Sequence, residues 1–115
     1  MKEKIINICG KEVGIAYCMA AEQGFEEISG KSFADFNPKM QRDLLALLSA
    51  CMVAYAQAHD EEAKVSGKDI LFNATPTEIA DALAALAQIR VEWYDVPVTV
   101  EQPEGGKEEE ESKNA

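Results

Sequence analysis

The side chains that could carry chemistry are few and scattered: Cys9, Cys18, Cys51, His59, the run Asp60-Glu61-Glu62 and the run Glu108 to Glu111. Thiolates hold zinc or form a disulfide framework when they recur as CxxC or join histidines at short spacing. Here three cysteines stand at irregular positions beside a single imidazole, so neither follows, and reduced thiols in a cytoplasm are expected. A calcium loop alternates oxygen ligands around a central glycine, a pattern absent from residues 60–62. No glycine-rich phosphate loop, GxSxG elbow or HExxH pair occurs either. His59, with no nucleophile nearby, reads as a surface residue and Cys51 as a small core residue. The expectation is a protein with no catalytic residue, metal ligand or cofactor, and not an enzyme.

Length and charge narrow the class further. A chain of 115 residues, 47% of them hydrophobic, builds one packed domain and excludes a large multidomain enzyme. Its 21 acidic and 11 basic side chains give a net charge of −10, which repels a phosphate backbone unless basic groups segregate. Nucleic-acid binding is not expected. Residues 101–115 hold six of the acids and two lysines, leaving 15 acids and nine bases, a net −6, on residues 1–100. The opening residues have no apolar core of signal-peptide length. The longest apolar run, Leu44 to Ala56, is broken only by Ser49, and its 13 residues fall short of the roughly 20 that span a bilayer. It reads as a buried helix, without a membrane partner.

Periodicity supplies the elements. Lys4 to Cys9 and Glu12 to Tyr17 are two short β-branched runs separated by Gly10-Lys11, which predicts a β-hairpin with a type II′ turn. A first helix follows, with Cys18, Ala21, Phe25 and Ile28 on one face, Gly24 weakening it and Gly30 stopping it. Phe33 and Phe36 pin the next connector to a core. Asn37-Pro38 reads as the start of a second helix, with Met40, Leu44, Leu47, Leu48, Cys51, Tyr55 and Ala58 on one stripe. Its other side, Ala46, Ala50, Val53 and Ala54, is also apolar, so this helix is central or meets a partner. Ser66 to Asp69 opens a short third helix through Ile70, Leu71 and Phe72, and Thr75-Pro76-Thr77-Glu78 opens a fourth.

The fourth helix carries a large apolar face, Ile79, Ala82, Leu83, Leu86, Ile89 and Trp93, and a second stripe of small residues, Ala80, Ala84, Ala87 and Val91. Two apolar faces imply two neighbours. A stripe of small residues serves either close intramolecular packing or self-association, and the sequence leaves both open. The candidate protein-binding residues are therefore Ala80, Ala84, Ala87 and Val91 on the fourth helix and Ala46, Ala50 and Val53 on the second. Val96-Pro97 ends the fourth helix. The fold class is mostly α: an N-terminal hairpin and a bundle of three main helices plus one short helix, forming a single domain over 1–100. Residues 101–115 read as a disordered acidic tail.

Three stretches carry a family resemblance: Ile8 to Glu22, Ser32-Phe-Ala-Asp-Phe36, and Ile89-Arg-Val-Glu-Trp-Tyr-Asp-Val-Pro97. In them, and in the order of elements over residues 5–97, the chain resembles the small tail assembly chaperones of tailed phages and prophages. The resemblance implies a small, mostly helical, non-enzymatic cytoplasmic protein of the bacterial host. It also implies binding to the tape-measure protein, recruitment of tail-tube subunits during virion assembly, and departure before the virion is finished. The family often makes a longer product by frameshifting, and the near-unbroken run of purine-rich codons available to Glu104–Glu111 suits slippage.

Two other classes stay open at this stage. One is a structural tail-completion or connector component that stays in the virion, and the other an acidic mimic of nucleic acid, whose field would be diluted by Lys2, Lys4, Lys11, Lys31, Lys39, Lys64 and Lys68. The composition of residues 101–115 generates a first prediction: their removal leaves the melting temperature nearly unchanged. A loss above about 1 kcal/mol in denaturant unfolding shows instead that the tail is docked.

Overall fold

The structure, a computed structural model, describes residues 1–95. Strand β1 (Lys2–Ile8) and strand β2 (Lys11–Tyr17) are followed by helix α1 (Met19–Ser29), a 3-10 turn (Phe33–Asp35), and helices α2 (Gln41–Ala58), α3 (Gly67–Asn73) and α4 (Pro76–Tyr94). This is the expected hairpin with three main helices and one short one. The expected helix stop at Val96-Pro97 and the tail over 101–115 lie outside the described residues.

The hairpin is antiparallel, with Ile8 opposite Lys11 and Ile6 opposite Val13. Its turn differs from the expected type II′. Cys9 and Gly10 are the two central residues, with φ of 54° and 73°, and positive φ at both positions defines a type I′ turn, whose twist matches the strands. Glycine takes that conformation freely and cysteine does not. Tertiary contacts hold Cys9 there: its Sγ lies 3.5 Å from the Asp69 carbonyl, and the next N–H, of Gly10, donates to Glu78 Oε2 at 3.0 Å.

Strand β1 buries alternate residues, Ile6 and Ile8, as a half-covered strand does, whereas Val13 to Tyr17 of β2 are buried without a break. Helix α4 covers the face bearing Ile6, Val13, Ile15 and Tyr17. On that side Lys4 Nζ donates to Gln88 Oε1 at 3.0 Å, and the Arg90 guanidinium stands 5.7 Å from the centre of the Tyr17 ring. Helix α2 covers the opposite face, where Gly14 and Ala16 point. A Cβ built on Gly14 would fall inside the van der Waals envelope of the Tyr55 ring, so glycine there is what lets the helix lie against the strand. At the end of α2 the ring of His59 stacks on Tyr55 with centroids 4.2 Å apart and meets Glu3 Oε2 at 2.9 Å.

Helix α2 is central, as its two apolar sides require: Leu47, Leu48, Ala50, Cys51, Met52 and Ala54 are all buried. It begins later than Asn37-Pro38 suggests. Asn37 Oδ1 accepts the Lys39 N–H at 2.9 Å and the Asn37 carbonyl accepts the Met40 N–H at 3.0 Å, which closes a turn instead of a helix. Met40, in extended geometry, is the N-cap. Helix α1 stops as expected at Gly30, with φ of 77°. Gly24, read from sequence as a weakness, stands where an added Cβ would come within 3.1 Å of Ala50 Cβ, so it sets the close approach of α1 to α2. Ala21 and Phe25 are buried on that helix, but Ile28, expected on the same face, is 51% exposed.

The connector between α1 and α2 is pinned as predicted. Phe33 and Phe36 stack on each other and meet Phe25 edge-on at 5.7 and 5.4 Å, and the Arg90 guanidinium lies 4.9 Å from the centre of the Phe36 ring. Among the described residues no helix is long and apolar enough to cross a membrane.

The close contact at Gly14 yields a second prediction. Gly14→Ala destabilises the fold by about 1–3 kcal/mol, the usual cost of overpacking. In the Tyr55→Ala background the same change costs markedly less, because the ring it strikes is gone. A double-mutant cycle by urea unfolding reads the coupling, and additive effects would show that the two residues do not touch.

Candidate interaction surface

The chemistry-bearing side chains occupy structural positions. Cys9, Cys18 and Cys51 are free thiols, and burial of Cys51 pushes its thiol pKa strongly up, away from reactivity. His59 is engaged with Tyr55 and Glu3. Asp60 turns the chain out of α2 with φ of 56°, and Glu61 and Glu62 are exposed beside it. Among the described residues no group of three or more His, Cys, Asp or Glu is placed to hold a metal ion.

The stripes proposed from sequence separate into different environments. Ala80, Ala84, Ala87 and Val91 are all exposed along α4, Val91 at 65%, while Ala82, Ala85, Leu86 and Ile89 of the same helix are buried. The small-residue stripe is therefore an outer surface, and the second neighbour it implied is not found among the described residues. On α2, Ala50 is buried against Gly24 and serves the α1–α2 contact, Ala46 is half-buried, and Val53 is 41% exposed. The structure does not gather the seven residues into one patch.

It assembles a different surface around α3. That helix is well started: Ser66 accepts the Asp69 N–H at 3.1 Å and Asp69 accepts the Ser66 N–H at 2.9 Å, a reciprocal cap that holds the Asp69 carboxyl below its ordinary range. Val65 and Ile70 anchor it in the core. Consecutive helical residues point about 100° apart, so a single seven-residue helix laid on the core by Ile70 must turn its next two side chains outward. Leu71 and Phe72 are 71% and 77% exposed. Two grooves flank Leu71. One, of about 920 Å³, runs between α1, α2 and α3 and is lined by Ile28, Leu45, Ala46 and Leu71 with Ser29, Lys31, Gln41, Arg42, Asp43, Ser49 and Gly67. The second, of about 600 Å³, runs between α2, α3 and α4 over Leu44, Ile70, Ile79, Ala80 and Leu83. They share Gln41, Leu45 and Leu71, so the apolar floor is continuous on both sides of one leucine.

Charge around this floor is unlike that of the rest of the chain. Asp43 is only 2% exposed and is held by Lys31 Nζ at 2.8 Å and the Asn37 N–H at 2.9 Å. The Lys31 hydrogen bond, then the Asn37 N–H, keeps its carboxyl below the ordinary range despite opposing desolvation. Lys39 and Arg42, which line the grooves, have no carboxylate partner among the described residues. Sequence reasoning missed this surface by treating Ile70, Leu71 and Phe72 alike. Three successive large apolar residues in a helix too short to be surrounded were the available signal.

A comparison with protein families, curated proteins and solved structures finds no match to this chain.

The third prediction concerns Asp43. A depressed carboxyl contributes stability above its unfolded value, near 3.8, and loses it as pH falls through the lower folded value, because the unfolded state then binds more protons. Asp69 and Glu78, also lowered by N–H donors, add in the same direction. Asp43→Asn removes its share, so urea midpoints followed downward from about pH 5 fall less steeply than in the wild type. An unchanged slope would contradict the ion pair with Lys31.

Proposed function

We propose that this protein is a phage tail assembly chaperone, which binds helical segments of the tape-measure protein, keeps them soluble, and assists assembly of the tail tube around them. The observation that carries the reading is the continuous apolar floor beside α3, with Leu71, 71% exposed, lining the grooves on both sides of it. Exposed apolar surface of that kind is where a protein binds another protein. The family resemblance over residues 5–97 supplies the identity of the client. The net charge of −10 supports the role, because a holder of apolar helices stays soluble through self-repulsion.

Association that buries apolar area shows a negative heat-capacity change and persists in moderate salt, whereas recognition by charge alone weakens steeply as salt rises. Co-expression with the tape-measure protein of the same phage is the test. The fourth prediction is that the client becomes soluble and copurifies with this chain, and that finished virions lack it. A client that stays insoluble, with this chain present in virions in stoichiometric amount, would overturn the reading in favour of a structural tail component.

A further inference from the structure

We propose that the groove centred on Leu71 receives an amphipathic α-helix whose apolar face is flanked by carboxylates, with Leu71 as the apolar contact and Lys39 and Arg42 as its charge-reading residues. The proposal rests on the reading of the protein as a helix-binding chaperone and adds to it the surface used and the chemistry of the partner.

The walls decide the form of the occupant. The grooves run between α1, α2, α3 and α4, whose backbone groups are paired along the helices except in their end turns, such as the N–H groups of Gln41, Arg42 and Asp43 at the uncapped start of α2. Among the described residues no strand edge borders the grooves, so an incoming segment finds no ladder of partners along the wall and has to satisfy its backbone internally. A helix does so, and it lays residues spaced three and four apart onto an apolar floor.

The rim decides the charge. Over residues 1–95 the chain has 15 acids and nine bases, a net −6, yet the charged groove-lining residues are Lys31, Lys39, Arg42 and Asp43. Asp43 is neutralised by Lys31 at 2.8 Å, so the charge left facing the groove is positive. Among the described residues Arg42 makes no ion pair, and its guanidinium contacts Met40 Sδ at 3.8 Å. A second copy of this acidic chain would bring mostly like charge to the rest of the surface, whereas an acidic helix is matched by the rim of this groove.

The test uses the full chain, isotope-labelled, titrated with two synthetic helical peptides of about 14 residues, both with leucines at i, i+3, i+4 and i+7, flanked by glutamates in one and by lysines in the other. The expected result is that the glutamate peptide shifts the amide resonances of Leu45, Ala46 and Leu71 and binds about tenfold or more tightly than the lysine peptide. Leu71→Glu abolishes those shifts while leaving the rest of the spectrum in place, and Lys39→Glu with Arg42→Glu reverses the preference. Equal binding of both peptides, shifts confined to the Ala84 stripe, or no binding would overturn the proposal. So would a dimer of the free protein that Leu71→Glu dissociates, or a peptide of residues 96–115 that occupies the groove more tightly than the glutamate helix. If the glutamate peptide binds as expected and the tape-measure protein does not copurify, the groove stands and the chaperone reading falls; the reverse pair of results separates them the other way.

Discussion

Everything in this fold depends on covering a two-stranded hairpin on both faces. A lone hairpin is marginal in water, and β2 escapes that limit by being buried from Val13 to Tyr17, with α4 on one side and α2 on the other. The second cover is possible only because residue 14 is glycine and the Tyr55 ring takes the space of its missing side chain. A Cβ there strikes the Tyr55 ring, so the ring or α2 itself must shift, at the end where His59 stacks on Tyr55 and meets Glu3.

The other end of the hairpin sets the positions of the later helices. The type I′ turn places the Gly10 N–H on Glu78, the residue that also caps α4 through the Thr75 N–H at 3.0 Å. Cys9 reaches Asp69, the capping residue of α3, and Lys11 Nζ donates to the Lys64 carbonyl at 3.3 Å just before it. One turn therefore fixes where two helices begin. With α4 and α2 committed to the hairpin, α3 has only Ile70 to bury, and among the described residues the surface between α1, α2 and α3 has no covering element. The proposed interaction groove is a by-product of how the core is closed.

Much of this was legible in the residues. The Thr75-Pro76 start, the Ser66–Asp69 cap, the Gly30 stop and the central place of α2 all follow from local chemistry that the tertiary structure does not override. The errors fall where a tertiary contact chose between local options. Cys9 accepts a positive φ because Asp69 and Glu78 hold the turn, and Asn37 spends its side chain on the Lys39 N–H instead of capping a helix. Gly24 looks like a defect in a helix until the helix that approaches it is known, and nothing in the spacing marks Gly14 as the place where Tyr55 lies against the strand. The stripe at Ala80, Ala84, Ala87 and Val91 implies a second neighbour by its periodicity, but periodicity alone cannot tell a face turned to solvent, as this one is among the described residues, from one turned to the core. The groove itself joins residues from Ile28 to Leu83, a separation no spacing rule spans.

The central claim, that the surface beside α3 is where the client helix lies, is tested most directly by placing a photoreactive ring on it. Leu71, 71% exposed and shared by both grooves, is replaced by p-benzoylphenylalanine in cells that make the tape-measure protein, with Val91 replaced in parallel as a position on the outer stripe of α4. Irradiation is expected to join the Leu71 variant to the tape-measure protein and to leave the Val91 variant unjoined. Crosslinking from Val91 and not from Leu71, or from neither, would contradict the account.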